Sequence, residues 1–128
     1  MRGFEDTIAS ELAWLLRAGA PSRAVRLTVR ELVVARIERG PLDAREVSDA
    51  VEATVRAACR LVREFDASGD LVETVCRSAL EAVRGHGGET ARWLPDVTST
   101  AIVILDELAR ERPDDATWRW IARRLSWW

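Results

Sequence analysis

Lysine, asparagine, glutamine and tyrosine do not occur in this chain of 128 residues, so all 19 of its basic residues are arginine. The codons of the missing types are wholly or partly A/T-rich. The bias is therefore read as the mark of a GC-rich bacterial genome rather than as selection for arginine's bidentate pairing with carboxylates. Histidine occurs once, at His86. A single imidazole excludes multi-histidine metal sites, and the Glu-x-x-His of di-metal helical bundles is missing. Thiols occur only at Cys59 and Cys76. They form no Cys-x-x-Cys, and a disulfide scaffold or a zinc site is not expected from two such residues. Apolar runs are short. Leu12–Leu16 and Ala101–Leu105, five residues each, are the longest, against the roughly 20 that a membrane-spanning helix needs. Met1 to Asp6 is charged and holds no apolar signal region. The expected location is the cytoplasm.

A positive surplus is missing as well. The net charge of −2 argues against a nucleic-acid binder that works by neutralising phosphates. Two helices joined at Gly40 have the layout of helix-turn-helix, but the second opens on Asp43, Glu46 and Asp49, which would face phosphates badly. Gly85-His86-Gly87-Gly88 has the spacing of neither a P-loop nor Gly-x-Gly-x-x-Gly and follows no strand. No cofactor, metal, nucleic acid or small-molecule substrate is expected from any motif.

What is present is repetition. Val25-Arg26-Leu27-Thr28-Val29-Arg30, Val51-Glu52-Ala53-Thr54-Val55-Arg56 and Val72-Glu73-Thr74-Val75-Cys76-Arg77 spell nearly one phrase. Val97-Thr98-Ser99-Thr100-Ala101-Ile102 is a fainter fourth. In the first three copies a glycine follows downstream, at Gly40, Gly69 and Gly85. Each is read as the left-handed residue that ends a helix. Aligning Asp49–Glu64 with Asp70–Gly85 gives seven identities in sixteen positions, which suggests a duplicated helix.

Hydrophobic spacing predicts six helices. The first runs from about Phe4 to Ala18 on Phe4, Ile8, Leu12, Leu15 and Leu16. The second follows Pro21 on Val25, Val29, Leu32, Val33 and Ile37. Its start also alternates like a strand, but the helical spacing continues to Arg39 and there is no partner strand. The third is announced by Asp43 and Glu46 as a capping pair, with Leu42 and Val47 as a staple. It continues through Val47, Val51, Val55, Cys59, Val62 and Phe65. Asp70 and Glu73 repeat the capping pair for the fourth, whose face is Leu71, Val72, Val75, Cys76, Ala79, Leu80 and Val83. A mobile Gly-rich loop at 85–88 and a short turn over Glu89–Leu94 lead to Asp96, read as the cap of a fifth helix on Ile102, Leu105, Leu108 and Ala109. Pro113 stops it, and a Trp/Arg-rich helix and tail occupy 116–128. The implied fold class is all-α: a single-domain bundle over 1–128 of five or six amphipathic helices, mostly up-and-down.

Chemistry-bearing residues mostly have structural explanations. Cys59 and Cys76 fall on apolar stripes and are expected to be buried free thiols. Glu52, Glu64 and Glu81 have arginines one turn away: Arg56, Arg60, and Arg77 or Arg84. Glu31 and Glu38 lack such partners and are expected in solvent, as is His86. The tail stands apart, because four of the six tryptophans fall between Trp118 and Trp128. Trp118, Ile121, Ala122 and Leu125 share one face, which suits docking on the bundle. Trp120, Trp127 and Trp128 do not fit it. Tryptophan with arginine is favoured at interfaces, and Trp118, Trp120, Arg123, Arg124, Trp127 and Trp128 are the expected partner-binding residues.

The function these features predict is that of a non-enzymatic interaction module (adaptor, assembly or oligomerisation protein) that binds a protein partner or a second copy of itself. A helical coat on a lipid or granule surface, resting on the same aromatic tail, is the alternative, and a small helical enzyme the second alternative. Deleting 118–128 is expected to abolish partner capture while helix content stays largely intact.

Overall fold

A computed structural model describes residues 3–39, 43–65, 69–111 and 117–125. The order is α1 (Phe4–Arg17), α2 (Ser22–Arg39), α3 (Ala44–Phe65), α4 (Gly69–His86), the single turn α5 (Glu89–Arg92), α6 (Leu94–Glu111) and α7 (Thr117–Leu125). No strand occurs among the described residues. The all-α bundle is thus observed. The seventh helix beyond the expected five or six is α5, which occupies the short turn read before Pro95.

The ambiguous start of α2 resolves by phase. Val25, Val29, Val33 and Ile37 are buried, while Leu27, which a strand would have turned inward with Val25 and Val29, is 48% exposed. A period near four places one stripe inside, and alternation would not.

The duplicated helices α3 and α4 pack against each other at the centre, with α1 laid on α3, α2 on α4 and α6 across both. Their burial repeats as closely as their sequence. Positions 51, 54, 55, 57, 58, 59 and 61 of α3 are buried, and so are 72, 75, 76, 78, 79, 80 and 82, each twenty-one residues on. The repeated phrase has a physical meaning here. Its first and fifth residues are Val25 and Val29, Val51 and Val55, Val72 and Cys76, and in the faint fourth copy Val97 and Ala101, and all eight are buried. A residue and the one four places on share a helix face, so the phrase is a core-facing anchor written four times. The ion pairs repeat too: Arg56 meets Glu52 at 3.1 Å, and Arg77 meets Glu73 at 3.2 Å.

Helix boundaries follow the predicted chemistry in part. The Glu46 amide donates to Asp43 Oδ1 at 2.8 Å, the expected N-cap. Leu42 of the expected staple and Gly40 lie outside the described residues. The other two glycines are not helix ends, contrary to expectation. Gly69 opens α4 and Gly85 lies inside it. The left-handed residue past the end of α4 is Gly87, at φ +74°, where a Cβ would strain the backbone. Asp70 consequently sits in the first turn of α4 rather than before it. Likewise α6 starts at Leu94, with Pro95 and Asp96 in its first turn. Proline suits that position because the first-turn amides have no intrahelical partner to lose.

Candidate functional site

The Trp/Arg segment is divided by its own helical phase. On α7, Trp118, Ile121, Ala122 and Leu125 are buried, Trp118 to 2% exposure, and the helix packs on α6 and α4. These four side chains are core. Trp118 is therefore not an exposed partner-binding residue, and deleting the segment would strip core as well as surface. Its indole Nε1 is buried without an acceptor among the described residues, a cost of about 1–3 kcal/mol that the packing of the ring offsets.

Trp120 points the other way and is 51% exposed. Its ring is covered by the guanidinium of Arg124, 4.5 Å from the ring centroid. Arg124 is itself tied down: its Nε stands 2.8 Å from Glu73 Oε1 on α4. Arg77 approaches the same oxygen at 3.2 Å, and the Glu73 side chain is only 12% exposed. The contacts are ionic rather than well aligned, since Oε1 makes no hydrogen bond of good geometry. The Glu73 reading as a capping residue is thus corrected. α4 begins at Gly69, two residues before the Leu71 that a cap at Asp70 implies, and the Glu73 carboxylate meets Arg77 and Arg124 of α7. The result is a chain of three groups, Glu73, Arg124 and Trp120, that fixes a large aromatic side chain at the surface. A planar guanidinium suits this role because it stacks with its face and pairs through its edge. Arg123 is exposed and engaged in a contact of its own. Trp127 and Trp128 lie outside the described residues.

The remaining chemistry-bearing residues fall where the sequence reading put them, with exceptions. Cys59 and Cys76 are free and buried. Burial pushes the Cys59 thiol up to about 12 from an ordinary 9.0, with Arg63 and Arg56 pulling weakly the other way. Burial, then Cys59 and Glu73, raises Cys76 well above its usual value. A neutral thiol is a poor nucleophile. Both cysteines are expected to resist a thiol-reactive disulfide reagent at pH 8 and to react at the rate of unfolding, so that adding urea accelerates labelling. Rapid reaction of either in the native protein would contradict their burial. Because the folded value of Cys59 is raised, its contribution favours the fold below about pH 9 and is lost as pH climbs toward 12.

His86 ends α4 rather than sitting in a loop, and its Nδ1 lies 3.2 Å from the hydroxyl of the buried Thr90. The segment read as loop 85–88 therefore contributes only Gly87 and Gly88 to the connection. Glu52 and Glu64 meet Arg56 and Arg60 as expected. Glu81 has a partner beyond its own helix. It reaches Arg26 on α2 at 3.3 Å, because α2 packs directly on α4. Among the described residues no three His, Cys, Asp or Glu side chains are grouped to hold a metal ion. No helix among them is long and apolar enough to cross a membrane.

One feature was missed by sequence reasoning. A cleft of about 620 Å³ between α2 and α4 is lined by Arg23, Arg26, Arg30, Arg77 and Glu81, with Leu27 and the hydroxyl residues Ser22, Thr74 and Ser78. Its signal was present as three arginines at spacings of three and four on α2, one helix face. Comparison of the chain with protein-family models, with curated proteins and with solved structures found no match.

Proposed function

We propose that this chain is a non-enzymatic helical interaction module and that the outward side of α7, centred on Trp120 and Arg124, is where it takes a protein partner. The observation that supports this reading is the Glu73–Arg124–Trp120 chain. A half-exposed tryptophan held by a stacked guanidinium, which is held in turn by a nearly buried carboxylate, loses little side-chain freedom on binding. Ordering a rotamer-rich side chain at an interface otherwise costs about 0.5–1.5 kcal/mol. Tryptophan and arginine are also the residue types most concentrated at interface hot spots. Burying the other face of α7 in the core gives this pair a fixed platform.

Deleting α7 is a poor test, since it removes core residues. Point changes separate the roles. A photo-crosslinking amino acid placed at Arg119, an exposed neighbour on α7, is expected to give one discrete protein adduct in the cells of origin. The adduct should disappear with Trp120→Ala, weaken with Arg124→Ala and persist with Trp14→Ala, which removes a still more open tryptophan on α1. An adduct of twice the chain mass would identify the partner as a second copy. No adduct, an adduct indifferent to Trp120, or Trp120-dependent co-sedimentation with lipid vesicles instead of protein would overturn the reading.

A further inference from the structure

We propose that the α2–α4 cleft binds a phosphate-bearing anion, an inference that does not involve α7 or Trp120. The cleft is lined by four arginines and one glutamate, in a chain whose net charge is −2. Only part of that charge is answered by the protein. Arg26 meets Glu81 and Arg77 meets Glu73. Arg23 and Arg30 meet no carboxylate among the described residues.

The bundle carries its own control. Because α3 and α4 are duplicates, the surface where α3 faces α1 and α6 is the counterpart of this region, and it also holds a cleft, of about 240 Å³. There Arg56, Arg60 and Arg63 are matched by Glu5, Glu107 and Glu111. The pairs are formed: Arg56 with Glu107 at 3.5 Å, Arg60 with Glu5 at 3.5 Å and also with Asp6 at 2.9 Å, Arg63 with Glu111 at 2.8 Å. Arginine on one side of the bundle is neutralised one for one. On the other side it is left in excess.

The excess is stacked on a single helix. Arg26 and Arg30 are one turn apart, as are Arg23 and Arg26, and like charges so placed repel by about 0.2–0.5 kcal/mol a pair. The first turn of α2 holds no acidic residue to offset either the arginines or the positive end of the helix dipole. A bound anion relieves all of these repulsions at once. Phosphate is the group that fits best. Guanidinium edges take its oxygens two at a time, and Ser22 on α2 and Thr74 on α4 add a hydroxyl donor from each wall. The exposed Leu27 offers the organic part of the ligand an apolar surface. The volume lies in the range of small-molecule sites. A soluble organic phosphate and a phospholipid headgroup share this chemistry.

The test uses the full chain with two probes, inorganic pyrophosphate by calorimetry and phosphatidylcholine vesicles with and without phosphatidic acid by co-sedimentation. Arg23→Gln with Arg30→Gln is the cleft variant. Arg92→Gln with Arg110→Gln, exposed elsewhere, removes the same charge. Binding of either probe is expected to fall about ten-fold for each cleft arginine removed and to be unchanged in the control. Saturation by pyrophosphate alone assigns a soluble phosphate, and saturation only by vesicles containing phosphatidic acid assigns a lipid headgroup. The cleft variant alone is expected to melt no lower than the parent, because it removes repulsion and no pair. Equal losses in both variants, binding of neither probe, or preference for a single-stranded oligonucleotide over pyrophosphate would overturn the proposal, and none of these results bears on α7.

Discussion

Trp118→Ala is expected to lower the stability of the bundle by about 3–5 kcal/mol, while Trp120→Ala, two residues along the same helix, should cost no more than about 1 kcal/mol. The difference follows from helical phase alone. Two residues turn a helix by roughly 200°, so when Trp118 faces the core Trp120 faces away. Trp118 is among the largest side chains in the core, and its removal leaves a cavity that α4, α6 and α7 close only in part. Small domains are stable by about 5–15 kcal/mol, so the variant would sit near its unfolding threshold. Trp118→Phe keeps most of the ring and removes the unpaired indole N–H. It should therefore cost much less than alanine. Trp120→Ala forfeits the stacking with Arg124 and little burial. Urea denaturation of the three variants checks this, and equal losses at 118 and 120 would mean that α7 is not docked as described.

Val55→Asp is expected to abolish native packing, with a loss of at least about 3 kcal/mol at pH 7, whereas Val103→Asp should stay within about 0.5 kcal/mol of the parent. Val55 is fully buried on α3, and Val103 is largely exposed on α6. Both are valines in helices, so propensity is nearly the same and environment decides. The carboxylate at 55 would lie fully buried in the hydrophobic core, so it must either be desolvated or take up a proton. Part of the loss should be recovered below pH 5, where the carboxyl is neutral. A native-like melting curve for Val55→Asp would show that the repeated phrase does not mark the core.

That phrase is where the sequence was most legible. A residue repeated at one and five in each copy can be read as a buried pair without knowing which helix lies opposite. The same periodicity predicted six of the seven helices, the burial of both cysteines and the split of α7 between Trp118 and Trp120. Helix ends were less legible. Gly69 and Gly85 look like C-caps in sequence, but α4 absorbs both, since glycine in a helix costs only about 1 kcal/mol and packing can outweigh it. Phe65, expected on the core stripe, reaches the edge of the bundle and lies beneath Arg17 instead.

Pairings between helices were not legible at all. Local spacing assigns Glu81 to Arg77 or Arg84, and only the packing of α2 on α4 brings Arg26 to it. For the same reason Glu73 looks like a cap in sequence, although it anchors α7 through Arg124. The arginine cleft is a property of two helices brought together, and no single stretch of sequence contains it.

α7 is part of the folded core and so holds Trp120 in place. Amide hydrogen exchange across Ile121, Ala122 and Leu125 in the isolated chain tests this most directly. These amides are expected to exchange through the same global opening as the buried stretch of α3, with matching sensitivity to added denaturant. Exchange at the rate of an unstructured peptide, while α3 remains protected, would contradict it.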